Sequence, residues 1–134
     1  GERTAEKIKC EIGSAAPLDE EMEMITKGRD LVNGVPRTRH ITSKDAREAM
    51  AESVNTIVES ITKSLEQTPP ELSADILDRG IMLTGGGALL KNLDKLIMET
   101  TDLPVHIAED PLTAVVRGTG AILENLEYYR PVIS

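Results

Sequence analysis

Ile81-Met82-Leu83-Thr84-Gly85-Gly86-Gly87-Ala88-Leu89-Leu90 constrains this chain more than any other stretch. A short apolar run led by Ile81 reads as a buried strand, three glycines follow, and helical spacing is picked up from Ala88 onward. Three consecutive residues without a Cβ let the backbone take positive φ angles and let a flat ligand lie directly against it. A helix starting behind the bend would aim unpaired N–H groups and the positive end of its dipole at the same spot, which suits a phosphate or a polar ring edge. The bend is not the dinucleotide fingerprint, because Leu90 stands where a further glycine would be needed, and no Gly-Lys-Ser/Thr follows to make a Walker loop. The same pattern also fits a structural strand-to-helix turn whose glycines merely let two elements pack closely.

Composition narrows the ligand classes. With two Tyr, no Phe and no Trp in 134 residues, the core must be aliphatic and aromatic platforms for base stacking are lacking. A net charge of −8 repels a phosphate backbone, so nucleic acid is not an expected partner. Cys10 is the single cysteine; it has nothing to pair with at disulfide or metal-ligand spacing, which points to a reducing, cytoplasmic setting. No apolar run reaches the roughly 18 residues of a membrane span.

Ahead of the glycine bend, Ala5, Ile8 and Ile12 recur at the spacing of one helix face, with Gly13 as the stop. On the polar side Glu6 and Lys9 stand three apart and project together. A carboxylate beside an ammonium can accept from one sugar hydroxyl and donate to another; the same spacing also describes an ordinary surface ion pair. Residues 21–29 alternate and read as a strand, Asn33-Gly34 is a turn signal, and 35–41 supply the returning strand of a hairpin. His40, near its end, has no carboxylate, Cys or His at ligand spacing and reads as structural. Ser43 can cap a long amphipathic helix carried by Ala46, Met50, Val54, Ile57, Val58, Ile61 and Leu65, which Pro69-Pro70 forbids from continuing. A shorter helix bearing Leu72, Ile76 and Leu77 ends at Gly80. Beyond the bend, Leu89, Leu90, Leu93, Leu96 and Ile97 predict a helix, 103–107 a strand containing His106, and Asp110-Pro111 a capped final helix whose interior holds Gly118 and Gly120. Residues 127–134 read as a loosely held tail. From 71 to 125 helices and strands alternate, an α/β pattern, but two strands are too few for an independent doubly wound sheet.

Leu83-Thr84-Gly85-Gly86-Gly87-Ala88 resembles the adenosine motif of the actin and Hsp70 superfamily of ATPases, and Glu6-x-x-Lys9 resembles that superfamily's ribose-contacting helix. More narrowly, four runs are similar to the MreB family of bacterial actin homologues. They are Gly1-Glu2-Arg3-Thr4-Ala5-Glu6, Thr68-Pro69-Pro70-Glu71-Leu72, the stretch from Arg79 through Leu90, and Glu109-Asp110-Pro111-Leu112-Thr113-Ala114-Val115-Val116-Arg117-Gly118. They occur in the family's order and span almost the whole chain.

The resemblance implies an α/β fold, part of the second lobe of an actin-like (ribonuclease H-like) protein. Residues 1–50 would form an outer helix-and-hairpin subdomain, and residues 51–134 an inner α/β subdomain carrying the adenosine motif. It implies ATP as cofactor, with Mg²⁺ in the complete protein; Glu6 and Lys9 would reach the ribose, while Gly85, Gly86, Gly87 and Ala88 would line adenine and the adjoining sugar. It implies self-association into filaments at the inner face of the cytoplasmic membrane, contact with membrane-anchored proteins of the rod complex, and guidance of wall synthesis. Any direct membrane contact would come from parts outside this sequence. No Asp-x-Gly-Gly-Gly-Thr-like phosphate turn is present, so the chain is expected to be a C-terminal portion, to hold only the adenosine half of a pocket, to carry no catalytic residue and not to hydrolyse ATP alone. Its unpartnered apolar surface is expected to favour dimers or a borrowed strand. Two alternatives remain: a protein-interaction module without a nucleotide role, and another ATPase of the same superfamily.

Overall fold

The computed structural model describes residues 1–111, 113 and 116–119. Helix α1, Glu2–Ile12, opens the chain and ends at Gly13, whose N–H reaches the carbonyls of Ile8 and Lys9. A Cβ on Gly13 would lie 2.5 Å from the Lys9 carbonyl oxygen, so only glycine lets the chain leave the helix this tightly. Strands β1, Glu23–Arg29, and β2, Pro36–Thr42, form the antiparallel hairpin, in register from Glu23 opposite Thr42 to Arg29 opposite Pro36. Asp30 and Asn33 accept backbone N–H groups in the turn, and Gly34 takes φ +70° there. The expected strands thus form, β1 starting two residues later than expected and β2 shifted by one.

Helix α2, Ser43–Glu66, follows without a loop. Its cap is Thr42 and not Ser43: the Thr42 side chain accepts from the Asp45 N–H while the Asp45 carboxylate accepts from the Thr42 N–H. Ser43 is instead fully buried, where its hydroxyl donates to Glu21 and accepts from the Met22 N–H. Pro69 and Pro70 end α2 and start α3, Pro70–Arg79. Gly80 (φ +79°) then turns the chain into β3, Ile81–Leu83.

The glycine bend departs from the sequence expectation. Gly85 takes φ +83°, Gly86–Leu89 make one 3-10 turn, and the backbone then extends at Leu90 before Asn92 turns it in the left-handed region (φ 62°). Helix α4 therefore begins at Leu93 and runs to Thr101, not from Ala88, so its N-terminus is not aimed from directly behind the glycines. Leu89 and Leu90 carried the right periodicity, but Leu89 is exposed and Lys91 is drawn into a pairing with Ser14 that a continuous helix would break. Strand β4, Val105–Ile107, pairs parallel to β3, with Pro104 immediately before it. His106 lies in this strand. The final helix and the tail fall largely outside the described residues, although Asp110 itself has φ 51°.

One aliphatic core joins these parts. Val54 of α2, Leu93 and Ile97 of α4 and Val105 of β4 are buried together, flanked by Met50, Val58, Ile61, Ile81, Leu83 and Leu90. Most of the α2 stripe thus faces the core, as amphipathic spacing predicts, while Ile57 is exposed. Ser14 and Ser43 are buried too, and the Arg47 guanidinium joins their surroundings by donating to Ser14 and to both oxygens of Glu21. That cluster fastens the loop after α1 to the first turns of α2.

Candidate functional site

Glu6 and Lys9 project from the same face of α1, and the Lys9 ammonium lies 2.8 Å from the Glu6 carboxylate. Both side chains are about half exposed, at 62% for Glu6 and 48% for Lys9. The hydrogen bond from Lys9 holds the Glu6 carboxyl below its ordinary value, and Glu6 raises the Lys9 ammonium in return. The Cys10 thiol also donates to Glu6, at 3.7 Å. Near neutral pH the pair therefore offers one fixed acceptor and one fixed donor, both reachable by a polar ligand.

The other candidate element is the glycine bend. Gly86 and Gly87 are exposed, and a Cβ built on Gly85 or Gly87 meets nothing within 4 Å. The side away from the core is thus a bare backbone shelf, which fits the flat face of a base. Gly85 donates its N–H to the Pro111 carbonyl, which ties the shelf to the start of the last segment. Ala88 is only 4% exposed and offers a ligand no side-chain surface, so any contact there is through its backbone.

The end of α1 and the loop after it are fastened to the segment that follows the bend. Lys91 extends its ammonium to the carbonyl of Glu11 at 2.8 Å and of Cys10 at 3.4 Å, the last turn of α1. Its own carbonyl accepts from Ala15 N–H at 2.8 Å, and Asn92 donates its side-chain amide to the Pro17 carbonyl at 2.9 Å. The helix bearing Glu6 and Lys9 is thus linked, through its C-terminal end, to the segment two residues past the 3-10 turn. Nothing in the local sequence marks these contacts: they span about 75 to 81 positions and follow no helical or strand period.

A cleft of about 450 Å³ lies between α1, β2 and α2, lined by Ala5, Ile8, Ile41, Ala46 and Met50 among others, and Lys9 of the candidate pair lines it too. The glycine bend does not line it. His40 also acquires a partner that spacing did not reveal: Glu23, across the hairpin, sits 2.8 Å from its Nδ1. Among the described residues no three His, Cys, Asp or Glu side chains converge as a metal-binding group, and no helix is long and apolar enough to cross a membrane.

Comparison with known proteins gives one consistent result. The family described as MreB/Mbl protein matches residues 1–131. The cell shape-determining protein MreB of Escherichia coli (strain K12) is 54% identical over 129 residues, which is 96% of this chain and 37% of that protein. The cell shape-determining protein Mbl of Bacillus subtilis (strain 168) is 50% identical over 127 residues, or 95% of this chain and 38% of that protein. The crystal structure of MreB5 of Spiroplasma citri bound to ADP superposes with a TM-score of 0.86 at 38% identity, covering 94% of this chain and 38% of that one. The same protein bound to AMPPNP gives 0.86 at 36% identity, covering 100% and 40%. The chain therefore spans under two fifths of the length of the curated relatives it matches.

Proposed function

The chain belongs to the MreB/Mbl family and has part of the actin-like fold, and from that premise we propose that it holds the adenosine side of an ATP site in a cytoskeletal, cell-shape-determining protein. The Glu6 carboxylate accepts from one ribose hydroxyl and the Lys9 ammonium donates to the other. The backbone of Gly85, Gly86, Gly87 and Ala88 receives adenine and the adjoining sugar. The observation that carries this reading is the fastening of the helix that bears the Glu6–Lys9 pair to the segment behind the bare glycine shelf. ATP, when bound, supplies the phosphoanhydride whose hydrolysis an actin-like filament uses; this chain's residues bind and orient the nucleoside end and hold no step of the hydrolysis. Mg²⁺ and the phosphates belong, in this reading, to groups outside the chain.

The division of labour follows the elements. Residues 1–50 form the outer subdomain and 51–134 the inner one, with α2 running through both; its first turns meet the hairpin and α1, while Val54, Val58 and Ile61 join the inner core. The assembly proposed for the whole protein is a filament at the inner face of the cell membrane that guides wall synthesis and engages membrane-anchored proteins of the rod complex.

Titration calorimetry on the chain as given tests the nucleotide part. Weak binding of adenosine nucleotides, no turnover above buffer, and a loss of about tenfold or more in affinity for Glu6→Ala are the expected outcomes. Submicromolar affinity for ATP with Mg²⁺, or hydrolysis by the chain alone, would contradict the half-site reading. Unchanged binding in both Glu6→Ala and Gly86→Val would remove the nucleotide role and leave a protein-docking module.

A further inference from the structure

Helix α1 meets α2 and β1 along its length but buries little of itself there. Ile12 is its one buried residue, its N-terminus has no side-chain cap, and Glu6, Lys9 and Cys10 are exposed. Its C-terminal carbonyls are another matter. Those of Ile8 and Lys9 accept from Gly13, and those of Cys10 and Glu11 accept from the Lys91 ammonium. The last carbonyls of a helix lack intrahelical donors and carry the negative end of its dipole, so a cation donating to two of them is held by charge as well as by hydrogen bonding.

Lys91 also grips with its backbone. Its carbonyl accepts from Ala15, Ser14 bridges to it in parallel fashion, and Asn92 beside it donates to Pro17. On its other side Lys91 lies one residue beyond Leu90, whose N–H donates to the Gly87 carbonyl to close the 3-10 turn. One residue therefore touches the end of the helix carrying Glu6 and Lys9 and is bonded to the end of the glycine shelf.

We propose that Lys91 is a positioning residue of the adenosine site, setting the separation of the Glu6–Lys9 pair from the glycine shelf so that one nucleoside spans both. It does not touch the ligand. This inference rests on the adenosine reading above and adds a residue that reading does not use. Its consequence is specific. Without the Lys91 ammonium the base still finds the shelf, but the ribose hydroxyls no longer meet Glu6 and Lys9 together.

The test is an amide-resolved NMR titration of the chain with millimolar ADP and with 2′-deoxy-ADP, which lacks one hydroxyl. The wild type is expected to prefer ADP by about three- to tenfold, the value of one hydrogen bond, with shifts at Glu6, Lys9 and Gly85–Gly87. Lys91→Met is expected to bind both nucleotides alike, with shifts confined to the glycine shelf, and Lys91→Arg to restore the preference. Lys91→Gln, which keeps a donor without the charge, gives the same reading if circular dichroism finds Lys91→Met unfolded, and is expected to retain only part of the preference. A preference intact in both neutral variants, even with both affinities lowered equally, would overturn the inference and leave Lys91 a structural residue. A wild type that does not distinguish the two nucleotides, or that shifts with neither, would remove the ribose assignment of Glu6 and Lys9 and the inference with it.

Discussion

Glu21 is one of the carboxyls through which acid acts on this fold. The hydrogen bond from Arg47, then that from Ser43, holds its carboxyl below the ordinary 4.5, and the Thr42 N–H does the same for Asp45 relative to 3.8. A carboxyl whose folded-state pKa is depressed contributes stability that is fully present above its unfolded value and is lost as pH falls through the folded one. The thermal midpoint is therefore expected to stay level toward neutrality and to drop as pH falls below 4.5; Glu21→Gln should flatten that drop in a melting series followed by circular dichroism. Gly80 makes a second prediction at this scale. It holds φ +79°, and a Cβ there would collide with the Pro104 carbonyl oxygen, backbone that cannot swing aside. Gly80→Ala is expected to cost about 1–3 kcal/mol in denaturant unfolding, from left-handed strain and that clash together. The glycine was legible in the sequence as the stop of a helix. The neighbour that forbids a side chain there was not, because Pro104 approaches only through the pairing of β3 with β4, where the Ile81 N–H donates to the Pro104 carbonyl.

Among the elements, α2 was the most readable, because seven apolar residues at helical spacing and a Pro-Pro stop leave little choice. Its cap was misplaced by one residue for a tertiary reason: Ser43 is occupied by Glu21 and Met22, and Thr42 is free to form the reciprocal box with Asp45. Thr42→Ala is accordingly expected to destabilise the fold by about 1 kcal/mol, read as a lower denaturant midpoint with unchanged slope, whereas the loss in Ser43→Ala would come from the contact of this buried hydroxyl with the Glu21 carboxylate instead. The helix after the glycines illustrates the opposite case. Its periodicity begins at Leu89, yet the left-handed Asn92 and the grip of Lys91 on the loop after α1 delay it to Leu93. Local pattern cannot report a contact made to a segment some eighty positions away.

For the molecule as a whole, the sheet formed by β3 and β4 is the exposed point. Among the described residues it has two parallel strands, a pairing ordinarily found with more strands and both faces covered. Here Met82 is 60% and Ile107 42% exposed. Association of the chain with itself through these strands is the expected result, seen as a mass in light scattering that rises with concentration and that Met82→Lys brings back toward monomer; a clean monomer at high concentration would count against it. Sequence by itself determined most of the elements, the aliphatic make-up of the core, the acidic surface and the likeness of the glycine bend and the Glu6–Lys9 helix to an adenosine motif, since each is a matter of residue type and near spacing. Tertiary structure alone decided that Lys91 and Asn92 clasp the end of the first helix, that Arg47 and Glu21 lock the loop beside it, and that His40 has Glu23 for a partner. Those pairings are fixed by where the folded backbone brings distant residues together, and periodicity carries no record of that.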